Sequence, residues 1–245
     1  MNTKLAFSLF VLGLLGVLSL LTMEFPLPAE AQEKMADFHP VVFKLLLLIN
    51  PMIMLVMSVV IGSIVYKKAN LSVPIIEGVL DGKRDFDLSN ILKFGVIGGI
   101  IGGFLLVVIT QFFIPYLPNE FLEIQEKFKP SLLGRFLYGG ITEEILMRFG
   151  FMSFLVWLFV TVFKSTNPIV YWTAILIAAF FFALGHFPLV FQLVESPSML
   201  LLSYILIGNI TGGIVFGWLY WKKGLESAMI GHIFAHVVMF LMEYF

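Results

Sequence analysis

Three short stretches of this sequence put ionisable side chains where they could work together. The first is Thr142-Glu143-Glu144-Ile145-Leu146-Met147-Arg148. The second is Phe182-Ala183-Leu184-Gly185-His186, followed closely by Pro188. The third is His232-Ile233-Phe234-Ala235-His236. Glutamate, histidine and water together make a hydrolase constellation. A carboxylate in a poorly hydrated site is a stronger base than in water, so it can take a proton from water near neutral pH. One imidazole can orient that water, and others can hydrogen-bond the oxyanion formed when water attacks a carbonyl. Zn²⁺ is a second route. Glu143, His186, His232 and His236 are all metal-ligand types, and bound Zn²⁺ lowers the pKa of its water to about 7. The spacing alone leaves both routes open. A covalent route is disfavoured, because the chain has no cysteine and no serine in a nucleophile-elbow pattern.

On a helix, Glu144 and Arg148 are four apart on one face, in the favourable order for an ion pair. Glu143 points about 100° away, at 3.6 residues per turn. Arg148 is therefore expected to neutralise and fix Glu144, leaving Glu143 to face something else. His232 and His236 also share a face, a familiar ligand spacing, but the glutamate of the helical zinc proteases is missing between them. His39 is given no role.

Composition says what must hold these residues. The chain has 245 residues, 60% of them hydrophobic and only 13% charged, with a mean hydropathy of +1.00. A soluble protein carries roughly 25% charged residues. The net charge of −1 leaves no basic block to hold nucleic acid. Crossing the hydrocarbon core takes about 20 apolar residues as a helix. Seven stretches qualify, near 4–23, 40–66, 91–117, 134–163, 168–194, 199–221 and 225–244. The expected fold is an all-α polytopic membrane protein, a bundle of about seven transmembrane helices forming one domain over 1–245. The motif-bearing core covers about 130–245. An ionisable group at bilayer depth costs at least about 2.5–3.5 kcal/mol, so the three motifs read as functional.

The first span is read as retained, although Ala29-Glu30-Ala31 has the look of a signal cleavage site. Lysine and arginine place the N-terminus in the cytoplasm and the C-terminus outside. Lys4, Lys67, Lys68, Lys83, Arg84, Lys93, Lys164, Lys222 and Lys223 then lie inside, against Lys34, Lys127, Lys129 and Arg135 outside. Residues 67–90 read as a solvated cytoplasmic loop or short surface helix. Residues 118–133 read as a helix lying in the membrane interface. Gly98, Gly99, Gly102 and Gly103, and again Gly213 and Gly217, read as helix contacts, and Asn209 and Thr211 as interhelical hydrogen-bonding groups. Pro188 is expected to break or kink its helix near His186. Glu143 and His186 fall toward the outer ends of their spans and His232 toward the inner end of its own, so a shared site requires the boundaries to move by about one turn.

The three motifs in order resemble those of the CAAX-protease and bacteriocin-processing (CPBP) intramembrane proteases, a family that includes the type II CAAX prenyl endopeptidases. The resemblance covers about 130–245. It implies that Glu143 activates water together with His186, that His232 and His236 stabilise the oxyanion, and that Glu144, Arg148 and Phe182 support the site. It also implies a membrane-associated peptide or protein substrate that can be prenylated, contact with membrane lipid, and a place in a cell inner membrane. One departure stands out. The family commonly has Asn or Asp four residues after the third-motif histidine, and this chain has His236. Two other functions compete with peptidase. One is a membrane scaffold or immunity protein that keeps the cluster for structure. The other is a proton-linked transporter, for which no inverted repeat is visible.

Overall fold

A computed structural model describes residues 2–24, 40–83 and 85–242. Ala29-Glu30-Ala31, Lys34, His39 and Arg84 lie outside the described residues. Every element among the described residues is helical. In an apolar solvent each backbone N–H and C=O must be satisfied within its own segment, and a helix does this.

Helix α1 spans Thr3–Ser19 and is capped by Asn2, whose side chain accepts from Leu5 N at 3.2 Å. Helices α2 (Pro40–Leu47) and α3 (Ile49–Val65) meet at Leu48 and form the second crossing. Next come α4 (Pro74–Leu80), α5 (Leu88–Phe113) and α6 (Asn119–Lys127). Helix α7 runs Gly134–Phe163. Helix α8 (Pro168–Leu184) is followed by α9 (Phe187–Leu193), α10 (Met199–Lys223) and α11 (Leu225–Met242). Seven helical segments among the described residues are long and apolar enough to cross a membrane: Thr3–Thr22, Lys44–Val65, Leu88–Tyr116, Gly134–Phe163, Pro168–Leu193, Met199–Lys223 and Leu225–Met242. The chain is an integral multi-pass membrane protein.

Small residues set how closely the helices approach, as expected. A Cβ on Gly99 would lie 2.4 Å from the Gly231 carbonyl oxygen, so α5 and α11 touch backbone to backbone there. A Cβ on Gly213 would lie 2.6 Å from that of Ala179, which brings α10 onto α8. Asn209 and Thr211 depart from expectation. Asn209 Nδ2 donates to Ile205 O and Thr211 Oγ1 to Ile207 O, both at 2.8 Å on their own helix. A side chain four residues from a carbonyl of its own helix reaches it without a neighbour.

Residues 67–90 hold the short helix α4, one of the two forms expected, but part of the segment is buried. Ala69, Leu71 and Val73 are buried, and α4 packs under the bundle. Tyr171 Oη donates to Ala69 O at 3.2 Å, Leu225 N to Ser72 O at 3.1 Å, and Ile76 N to Glu226 Oε1 at 2.9 Å. The reason lies in α11, whose first residues Leu225–Met229 are all buried. That helix starts inside the protein, and the chain after α3 covers its end. The tip is solvated, with Asp81, Gly82, Lys83 and Asp85 exposed, and so are Lys67, Lys68 and Asp87 at its two ends. Helix α6 buries none of its residues and is tied to the α9–α10 turn through Glu120 and Lys127.

Candidate active site

The first two-thirds of α7 is wound more widely than an α-helix. Gly134–Glu143 and Ile145–Met152 carry i→i+5 winding, and α-helix resumes at Ser153–Phe163. Such winding is rare and concentrates at functional sites. The Ser153 hydroxyl follows it, donating to Arg148 O five residues back at 3.2 Å. Helix α1 holds this segment from outside: Thr142 Oγ1 donates to Gly13 O at 2.8 Å.

The two glutamates are separated as their spacing suggests. Glu144 is fully buried, and its Oε1 lies 3.1 Å from Arg148 Nη1. That contact is an ion pair lying off the hydrogen-bond axis. Arg148 is only 2% exposed. Its Nη2 donates to Gly213 O at 3.4 Å, and its guanidinium sits 4.9 Å from the Phe182 ring and 5.5 Å from that of Phe216. The charge is thus held by a carboxylate, a carbonyl and two aromatic faces. Glu143 is half-buried and looks into a cavity of about 1310 Å³. No hydrogen bond or ion pair engages its carboxylate among the described residues.

His186 reaches the same cavity from the break between α8 and α9. The helix stops at Gly185, two residues before the α9 turn that Pro188 opens. His186 Nδ1 lies 2.9 Å from Phe182 O. A carbonyl only accepts, so Nδ1 carries the hydrogen and Nε2 keeps its lone pair. Phe182 also meets the His186 ring edge-on at 4.8 Å. Phe182 thus meets its neighbours in three ways, through its carbonyl and its ring on His186 and through its ring on Arg148.

His232 and His236 stack on one another at 4.9 Å and 16°, and His232 stacks on Phe216 at 4.4 Å and 18°. His232 Nδ1 lies 2.8 Å from Glu144 Oε1. Both histidines line the cavity. The one-turn mismatch in depth is absorbed because α11 begins inside the bundle. Glu143, Glu144, Arg148, Phe182, His186, His232 and His236 therefore all gather at one place. Among the described residues no three His, Asp or Glu side chains converge as a metal-binding set. Two imidazole nitrogens are already turned to a carbonyl and a carboxylate. Such bonds leave each Nε2 open, as on zinc-ligating histidines; what is missing among the described residues is a convergent set of three ligands, and no step below runs through a metal.

Sequence reasoning missed several neighbours. Phe216, which stacks on His232, is one phenylalanine among 27 and carries no signal of its own. Gly139 carries no signal in the sequence, yet its missing side chain makes room for His236: a Cβ there would lie 2.7 Å from His236 Nε2. Tyr138 lines the cavity five residues before Glu143, which the wide winding turns into a shared face. Asn209 also lines it.

Residues 126–238 match the family model described as "Type II CAAX prenyl endopeptidase Rce1-like". The match spans all three motifs. No curated protein and no solved structure matches the chain significantly.

Proposed function

We propose that this chain, whose residues 126–238 match the type II CAAX prenyl endopeptidase Rce1-like family model, is a CAAX-type intramembrane protease that hydrolyses a peptide bond of a membrane-associated or lipid-modified substrate with water activated by Glu143 and His186. The supporting observation is the meeting of Glu143, His186, His232 and His236 at one cavity. Glu143 and His186 Nε2 are both acceptors. A water donating one hydrogen to each has its lone pair free for the carbonyl carbon. Glu143 takes the proton as the C–O bond forms, and the histidines of α11 face the carbonyl oxygen on which charge develops. The cavity exceeds the roughly 300–1,000 Å³ of a drug-sized site and suits a peptide with a lipid chain. The same reading places the protein in a cell inner membrane with a cytoplasmic N-terminus and an external C-terminus.

The test uses detergent-solubilised protein and a panel of prenylated and unprenylated quenched peptides. Wild type, Glu143→Gln and His186→Ala are compared with and without a zinc chelator. Cleavage is expected in wild type, unchanged by chelator and lost in both variants. Cleavage at the wild-type rate in both variants would overturn the reading, and loss on chelation would replace it with a metal-bound water.

A further inference from the structure

We propose that the cleft between the start of α5 and the end of α10 holds the phosphate-bearing head of an anionic phospholipid, with Lys222 and Lys223 as its cationic contacts. This site lies apart from the motif cavity, and the proposal does not depend on the protease reading.

The cleft has a volume of about 240 Å³, and its walls include Ser72, Phe86, Asp87, Asn90, Lys222 and Lys223. It sits at the level where the hydrocarbon ends. Lys223 closes one crossing and Leu88 opens another. Trp221 marks the same depth, stacked on Tyr171 at 4.7 Å and 9° and meeting Trp172 edge-on at 6.1 Å. Tryptophan and tyrosine gather at this boundary, because one end of each ring is apolar and the other polar.

Both ammonium groups are held by rings and not by carboxylates. Lys222 Nζ lies 3.5 Å from the centre of the Trp221 ring, and Lys223 Nζ 3.6 Å from that of Phe94. Lys223 Nζ also donates to Asn90 Oδ1 at 3.2 Å. Other cations of the chain have acidic partners: Lys67 has Glu77, Lys127 has Glu123 and Arg148 has Glu144. Lys222 and Lys223 have none within salt-bridge distance among the described residues. Asp87 is the acid in the cleft wall, and its Oδ1 is turned to Asn90 N at 2.9 Å, where it caps α5. A cation–π contact fixes an ammonium without neutralising it. Two lysines and the amide nitrogen of Asn90 therefore present hydrogens to one small space, a donor set that suits the oxygens of a phosphate.

The surface beside the cleft selects a lipid over a free anion. Phe94, Ile97 and Ile101 share one face of α5, at i, i+3 and i+7, and lead from the lysines toward the membrane centre. Phe94 meets Trp218 of α10 at 6.5 Å, and Ile97 and Ile101 are 44% and 52% exposed. An acyl chain lies on this stripe when its phosphate is in the cleft. In the orientation proposed above, this end of the bundle faces the cytoplasmic leaflet, whose anionic lipids attract basic residues.

The test titrates the full chain, in nonionic detergent, with dioleoyl phosphatidylglycerol, with phosphatidylcholine of the same chains, and with inorganic phosphate. The melting midpoint is followed by tryptophan fluorescence. The anionic lipid alone is expected to raise it, by about 5–10 °C at roughly a hundred times Kd. Each lysine is expected to carry about a fivefold factor in affinity, so Lys222→Gln/Lys223→Gln should weaken binding by about 30-fold. Lys68→Gln/Lys164→Gln removes the same charge from exposed positions at the same end of the bundle and should leave the affinity unchanged. Equal rises with the two lipids overturn the proposal. So does a full rise with inorganic phosphate, or an equal loss of affinity in the Lys68/Lys164 variant. If the Lys222/Lys223 variant does not fold, the two-lipid comparison on wild type and on Lys222→Gln decides, since that exposed amine makes no hydrogen bond among the described residues.

Discussion

Replacing Arg148 with methionine isolates the energetics of the buried cluster. The guanidinium is 2% exposed and Glu144 is fully buried, so water cannot take over when the cation is removed. Breaking a buried pair by deleting one partner destabilises by about 3–5 kcal/mol, because the remaining charge is left without compensation. Arg148→Met also deletes the contact to Gly213 O and the packing between Phe182 and Phe216, which tie α7 to α8 and α10. For a chain of this size about 1 kcal/mol moves the melting midpoint by roughly 2–4 °C. The expected fall is therefore about 6–20 °C. Thermal unfolding in detergent, followed by the fluorescence of the four tryptophans, reads it directly. The double variant Glu144→Gln/Arg148→Met has no stranded charge and should recover at least half of the loss. A single variant melting within about 2 °C of wild type would refute the reasoning. So would a double variant less stable than the single one, since the loss would then come from packing.

Three further substitutions test other parts of the fold. Gly139→Ala puts a Cβ 2.7 Å from His236 Nε2, so the ring must shift, and displacements of this kind lower kcat by up to about 10²-fold; unchanged turnover would remove His236 from the site. Gly99→Val places a side chain against Gly231 O and Phe234 on α11, and overpacking of this kind costs about 1–3 kcal/mol or more, read as a lower midpoint in the same melt. Glu226→Ala removes the acceptor of Ile76 N. It should destabilise by about 1–3 kcal/mol, the penalty of an orphaned buried donor, and a wild-type midpoint would show that the 67–80 segment does not need this tie.

The sequence by itself determined the number of crossings, because about 20 apolar residues have few other uses, and the expected spans agree with the helices to within four residues at each end. It also determined the Glu144–Arg148 pair, since i,i+4 neighbours meet on a helix face whatever surrounds them. The candidate residues were legible because charge is expensive in an apolar solvent, so Glu143, Glu144, Arg148, His186, His232 and His236 stand out against the background. Tertiary structure alone decided who touches whom. That His232 faces Glu144 depends on α11 starting inside the bundle, and that start depends on Leu71, Val73 and Ile76 covering it from 150 residues away. The wide winding of α7 is equally hidden, because no local propensity marks Gly134–Met152 for it. Phe216 and Gly139 look like any apolar residue and any small one until His232 lies on the first and His236 over the second. Periodicity and charge are local properties and can be read along the chain; partnerships between distant helices are set by packing, which one strand of text does not contain.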